Sequence, residues 1–246
     1  MVPPDLQAAL AGKLELLRQR PGLPQTAAAE TIKASLAYVW ACSDFVADAC
    51  RRDAGLLDWL ADAGRLQADL SLDEYTAQAG QATQPGTLDD PGFMVALRRF
   101  RHRHLARIAW RDLASLAPIE QVLLELSALA EASIWAACRH ATATLGSRHG
   151  VPRGKDGRDM PLLVLGMGKL GGGELNFSSD IDLVFLFPAH GETTGSRPLE
   201  HEEFFIRVGK RVAQLLSSPT DDGFVYRVDL RLRPWGASGP VAGSLE

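Results

Sequence analysis

Asp180 and Asp182 flank Ile181 at the head of an apolar run that ends at Phe187. In an extended strand alternate side chains share a face. The two carboxylates therefore point one way, while Ile181, Leu183, Phe185 and Phe187 point the other way, into a core. Two neighbouring carboxylates on one face repel, and keeping both ionised is costly unless a cation neutralises them. An oxygen-only donor set suits Mg²⁺ or Mn²⁺. A second stretch alternates in the same way. Along a strand spanning Phe224 to Arg233, Arg227, Asp229, Arg231 and Arg233 share one face, and Tyr226, Val228, Leu230 and Leu232 the other. Set beside the first strand, Asp229 completes a trio of carboxylates. The three arginines are then available to phosphate oxygens, which guanidinium groups grip in forked, charge-assisted pairs. Alternating charge also marks solvated strands with internal Arg–Asp pairs. The combination with the Asp-x-Asp pair and a glycine-rich stretch upstream favours a site.

That upstream stretch holds Gly166, Gly168 and Gly171 in the Gly-x-Gly-x-x-Gly spacing of a dinucleotide fold. Such a fold needs a full helix after the glycines and a second strand bearing an acid about 20 positions on. Here Gly172 and Gly173 follow at once, and glycine costs roughly 1 kcal/mol in a helix interior. Asp180 opens a strand too soon for that helix. A phosphate-binding P-loop fails as well, because Leu170 rather than Ser or Thr follows Lys169. What remains is a side-chain-free loop, Gly166, Gly168, Gly171 and Gly172, whose backbone N–H groups can approach phosphate oxygens. Lys169 adds a charge, and Ser178 and Ser179 add hydroxyl donors. A strand ending in glycine, a glycine loop, an Asp-x-Asp strand and a later strand with a third Asp is the order of the polymerase-β-like nucleotidyltransferase fold.

The elements that must hold these residues change character near residue 150. Before it, apolar residues recur at helical spacing: Ala27–Cys50, broken by Gly55 and resumed through Trp59; Phe93–Leu116; and a helix opened by Pro118 and closed by Gly146. Pro85-Gly86 and Pro91-Gly92 frame a loop. Residues 146–160, rich in Gly and Arg, read as a connection. After it come two strands, a helix over His201–Ser218 with Phe204, Val208, Val212 and Leu215 inward, and the arginine strand. The expectation is an α+β protein: a helical region over 1–150, then a nucleotidyltransferase-like core with a small mixed sheet over 151–246.

Apolar residues make up 46% of the 246, an ordinary share for a globular protein of roughly 45–50%. A net charge of -4 argues against a general nucleic-acid surface. Three cysteines without a Cys-x-x-Cys argue against a disulfide framework or zinc ribbon and point to a reducing cytoplasm. The N-terminus does not read as a signal peptide, and no segment reads as long and apolar enough to span a bilayer.

Several other features read as structural. Arg99, Arg103, Arg107 and Arg111 recur every four residues as one helical stripe, read as a solvated or ion-paired face rather than a contact with an acidic partner or nucleotide phosphates. His102 and His104 fall on different helix faces, a poor metal pair. His201-Glu202 lacks the second histidine of a zinc-protease motif. Trp40, Trp59, Trp110 and Trp135 read as packing residues. Trp235 reads as a packed loop anchor, with stacking on adenine as the alternative.

"LGMGKLGGGELNFSSDIDLVF" with "GFVYRVDLRLRPWGASGP" resembles the glutamine synthetase adenylyltransferase/adenylyl-removing family, and Cys42–Leu60 and Leu97–Leu113 resemble its N-terminal helical segments. The family carries two nucleotidyltransferase domains, the first removing AMP from a tyrosine of glutamine synthetase and the second adding it. The long helical stretch before the motif, with Asn176 and Phe177, resembles the first. On that resemblance the chain is a fragment truncated at its C-terminus. Gly173 stands where relatives often carry arginine, which implies weaker phosphate contacts. The resemblance implies metal-dependent phosphorolysis: inorganic phosphate attacks the adenylylated tyrosine and ADP leaves, with Asp180, Asp182 and Asp229 holding Mg²⁺ or Mn²⁺. It also implies the PII signalling protein and glutamine as regulators of the full-length enzyme, in nitrogen metabolism. The alternatives are ATP-dependent adenylylation at the same site, or a non-catalytic nucleotide- or regulator-binding module.

Overall fold

The computed structural model describes residues 4–15, 27–62, 64–220 and 223–246. The chain forms two compact units, Met1–Leu70 with His102–Glu125 and Ser71–Arg101 with Leu126–Glu246. Helical residues within 71–101 and 126–149 thus group with the sheet, and the units part within two long helices.

The first unit is helical. It contains α1 (Pro4–Glu15), α2 (Ala27–Cys42), α3 (Asp44–Arg52) and α4 (Leu56–Ala61), with the later part of α6 (Asp90–Leu113) and the start of α7 (Ile119–His149). The helix expected over Ala27–Cys50 breaks at Ser43. Its hydroxyl accepts the Val46 amide at 3.2 Å and so caps α3, an N-cap signal that apolar spacing alone conceals. Ile32, Val39, Val46, Leu57, Leu60 and Trp110 are fully or almost fully buried in one core, and the Trp110 indole donates to Ser35 Oγ at 2.9 Å.

Within this unit the arginine stripe is ion-paired, with Arg103 half-exposed on Asp53 and the next two arginines buried. Arg107 and Arg111 are 1% and 2% exposed. Both donate to the buried Glu125 carboxylate, and Arg111 also to Asp69. Their other N–H groups reach the Arg65, Ala68 and Leu66 carbonyls. Buried guanidiniums need such partners, and each of these two directs three donors to carboxylates and carbonyls within the unit. His104 is buried beside them. Burial first, then the charges of Arg107, Arg65 and Arg103, pushes its pKa down to about 3.

The second unit holds α5 (Leu72–Thr83), the first part of α6, most of α7 and a four-stranded mixed sheet. Ser71 and Glu74 form a reciprocal capping box at the start of α5. Helix α7 does not stop at Gly146. It runs to His149 and ends where Gly150 takes φ +79°; a Cβ there would lie 2.0 Å from the Gly195 nitrogen. By length and hydropathy α7 could cross a membrane, contrary to the reading that no segment could. The 61% of its apolar window buried within the protein instead fits a core helix.

In the sheet β1 (Leu163–Met167) runs antiparallel to β2 (Ile181–Phe187), and β3 (Val228–Asp229) and β4 (Ala242–Ser244) run parallel to β2. β1 covers one edge of β2; β3 and β4 occupy the other in succession. The strand expected over Phe224–Arg233 pairs only at Val228 and Asp229; the chain then leaves the sheet and returns at Ala242. Leu232, expected in the core, is 54% exposed. Helix α9 (His201–Ser217) covers the apolar face. Phe204, Val208, Val212 and Leu215 are buried there as their spacing predicts, and Phe205 stacks on Phe187 with centroids 5.2 Å apart. The arrangement is α+β.

Candidate active site

The alternation in β2 is borne out. Ile181, Leu183, Phe185 and Phe187 are buried, and Asp182 lies on the opposite face. On that face Asp182 is paired with Met167 of β1 on one side and with Asp229 of β3 on the other. The parallel register Ile181–Val228, Asp182–Asp229 thus brings two of the three acids side by side. Asp180 stands just before the strand, where the Ile181 amide donates to the Arg227 carbonyl at 2.9 Å and extends the ladder.

Each of the other two acids holds an arginine. Arg227 donates to Asp180 and, at 3.3 Å, to the Ser178 carbonyl. Arg231 grips Asp229 through Nε at 2.9 Å and Nη2 at 2.6 Å, and its backbone N–H adds a bond at 2.8 Å. These bonds, the side chain's first, hold the Asp229 carboxyl below its ordinary range. Asp229 raises the Arg231 pKa in return, and the charges of Asp182 and Asp180 raise it further. One cation therefore feels all three carboxylates. Among the described residues, no three His, Cys, Asp or Glu side chains are gathered round a single point as they stand.

Arg233 does something the strand pattern did not predict. Its guanidinium donates to the carbonyls of Leu230 at 2.6 Å, Ala237 at 3.2 Å and Gly239 at 3.3 Å. Arg233 therefore fixes the loop between β3 and β4 with three of its five N–H donors. Trp235, at the apex, is 80% exposed with φ +60°, so it is not a packed anchor.

The glycine segment is a single helical turn, α8 (Gly168–Gly171), rather than an open loop. Two of its glycines lie in close approach, one to backbone and one to a side chain. A Cβ on Gly171 would meet the Gly166 carbonyl oxygen at 2.4 Å, and one on Gly168, at φ +56°, would meet Asp182 Oδ2 at 3.0 Å. The turn thus backs directly onto a site carboxylate. The Gly172 and Gly173 amides donate within the turn, to Gly168 and Leu170, both at 3.1 Å. Gly173 takes φ +69°, a conformation that arginine adopts only with strain. Lys169 is exposed.

Asn176, noted in sequence only as a family mark, organises the approach to Asp180. Its Oδ1 accepts from the Ser178 amide at 3.2 Å and from Ser179 Oγ at 2.7 Å. The signal was an Asn followed by serines at the next-but-one and third positions, the pattern of an Asx turn. It commits the Ser179 hydroxyl to the loop. The neighbouring Leu175 amide donates to Ser127 of α7 at 3.1 Å, which ties this segment to the helical part of the unit.

The family profile for glutamate-ammonia ligase adenylyltransferase matches residues 33–246. A bifunctional glutamine synthetase adenylyltransferase/adenylyl-removing enzyme from Thioalkalivibrio sulfidiphilus is 46% identical over 84% of this chain and 21% of its own length. Enzymes of the same description from Shewanella loihica and Shewanella oneidensis are 45% and 44% identical, over 85% and 91% of this chain and 22% and 23% of theirs. The chain spans less than a quarter of the length of these curated relatives. It belongs to the glutamate-ammonia ligase adenylyltransferase family.

Proposed function

We propose that this chain carries the adenylyl-removing site: phosphorolysis of the AMP–tyrosine bond of glutamine synthetase on a polymerase-β-like nucleotidyltransferase core. The observation that supports it is the register of Asp182 with Asp229, with Asp180 just before β2 and Arg231 bound to Asp229. The donor set fits a hard divalent cation, since three carboxylates at neighbouring backbone positions already attract one positive charge. The pairs Asp180–Arg227 and Asp229–Arg231 reach solvent through their arginines, and such pairs are individually weak, so the carboxylates can exchange partners. Asp180, Asp182 and Asp229 would hold Mg²⁺ or Mn²⁺, which would supply charge neutralisation and polarisation of the phosphodiester.

The reaction joins a phosphate oxygen to the adenylyl phosphorus as the bond to the tyrosine oxygen breaks. ADP forms, and the phenolate takes a proton from water. Phosphate is already ionised, so no strong base is needed, and the barrier lies in bringing one anion to another. Arg227, Arg231 and Lys169 would offset that repulsion. Arg233 acts by holding their loop. Glutamine synthetase as substrate, PII and glutamine as regulators of the longer enzyme, and a cytoplasmic setting belong to the same proposal.

The test supplies the chain with Mg²⁺ and either adenylylated glutamine synthetase plus phosphate, or unmodified glutamine synthetase plus ATP. ADP release in the first mixture is expected. Label transfer from ATP in the second alone would assign the opposite activity. Neither product, together with no binding of Mg²⁺ or nucleotide, would leave a non-catalytic module.

A further inference from the structure

We infer that Trp235 is a stacking platform for the adenine base of the nucleotide; the inference rests on the reading above that this site handles an adenylyl group. A bulky residue with φ above zero is a backbone outlier, and such strain persists where the surrounding structure imposes it. Here the surroundings do so. Arg233 ties three carbonyls of the loop together, Gly236 follows at φ +55°, and a Cβ on Gly239 would lie 2.2 Å from the Pro234 oxygen. All of this framework holds an indole that is 80% exposed. Other large apolar side chains described as exposed reach at most 59%.

The indole's place in the chain points to its ligand. The same loop begins at Asp229, carries Arg231 among the site carboxylates, and reaches Trp235 through successive i→i+3 turns: Arg233 to Leu230, Gly236 to Arg233 and Ser238 to Trp235. Turns of this kind advance about 2 Å per residue, so the six positions from Asp229 to Trp235 correspond to about 12 Å of chain, the scale of one mononucleotide. Carboxylates for a cation, a guanidinium for phosphate and an aromatic face then follow one another in the order of a nucleotide's own parts. A purine offers a broad π-face, and base–aromatic stacking is worth enough to matter in affinity.

The test is calorimetric titration of the 246-residue chain, with Mg²⁺, by ADP and by pyrophosphate, which has no base. Removal of a stacking aromatic typically costs about 1–3 kcal/mol, so Trp235→Ala is expected to weaken ADP by about 5- to 150-fold. Trp235→Phe should stay within about threefold of wild type, and pyrophosphate should bind all three proteins alike. Trp235→Gly relieves the left-handed backbone, so it should weaken ADP without lowering the melting temperature. Unchanged ADP affinity in Trp235→Ala would overturn the inference while the proposed function stands. So would an equal loss for pyrophosphate, or an effect confined to the KM for adenylylated glutamine synthetase, which would make the indole a protein contact. If wild type binds neither ADP nor pyrophosphate, the proposed function fails and the inference goes with it.

Discussion

Gly168 joins backbone strain to site geometry, and replacing it separates the two. With φ +56° it heads the turn that backs onto Asp182, and an added Cβ would sit 3.0 Å from Asp182 Oδ2. Gly168→Ala therefore has two consequences. Placing an L-residue in the left-handed region costs about 1–2 kcal/mol, and at about 2–4 °C per kcal/mol for a chain of this size the melting temperature should fall by about 2–8 °C. The second consequence is local, because a contact at 3.0 Å pushes the carboxylate away by a few tenths of an ångström. A 1 Å misplacement of a reacting group can cost about a hundredfold, so a shift of 0.3–0.5 Å should reduce turnover by about fourfold to tenfold. Gly157 is the control. It has φ +79°, and an added Cβ there would meet nothing within 4 Å, so Gly157→Ala carries the strain without the contact. The assays are thermal denaturation and phosphate-dependent ADP release from adenylylated glutamine synthetase. Equal melting shifts with reduced turnover only in Gly168→Ala are expected. Equal turnover in the two variants would refute the placement of this turn against a working carboxylate.

Four further outcomes can be checked. Asp182→Asn, which keeps the shape and removes the charge, should lower phosphorolysis by more than tenfold with an unchanged circular dichroism spectrum; activity within tenfold of wild type would contradict the metal assignment. Arg233→Lys replaces a fork bonded to three carbonyls with a single ammonium, so limited proteolysis should begin to cut between β3 and β4, a region intact in wild type. Glu125→Gln leaves Arg107 and Arg111 buried without their shared charge partner, and denaturant titration should show a loss of about 3–5 kcal/mol; a loss below 1 kcal/mol would mean that water reaches the pair. His104 has a pKa of about 3 in the folded state against 6.5 for the ordinary side chain. Its depressed value means that the unfolded chain binds the extra proton, so its contribution is whole above pH 6.5 and is lost as pH falls toward 3. Between pH 7 and pH 5 wild type should lose about 2 kcal/mol that His104→Gln does not, at 1.36 kcal/mol per pH unit below 6.5.

What the sequence made legible follows the range of the interactions involved. The faces of β2 and α9 could be read because burial repeats with period two or about 3.6, and Phe185, Phe187, Val208 and Val212 obey it. The neighbouring of Asp182 and Asp229 could be anticipated because both sit on such alternating runs. The length of β3 could not. Alternation continues through Leu232, but strand length is set by the partner, and the edge of β2 is shared with β4, whose Ala-Gly-Ser carries no apolar pattern. The bracing by Arg233 could not be read for a related reason: a guanidinium bonded to three carbonyls of its own loop looks, in sequence, like one that awaits phosphate. The break at Ser43, the turn at Asn176 and the one-turn helix α8 are local polar or backbone effects that hydrophobic spacing does not register.

The interruption between β3 and β4 ties these observations together. Asp182 and Asp229 are paired at one end of the shared edge, and Phe185 and Ala242 resume pairing further along it. An unbroken strand would have carried Arg231 and Arg233 along the sheet, away from Asp182, with their side chains fixed by the pleat. By leaving the sheet directly after Asp229, the chain lets Arg231 fold back onto that carboxylate and releases Arg233 to brace the excursion. Trp235 then stands clear of the protein. The charge pattern of this segment therefore serves a loop more than a strand.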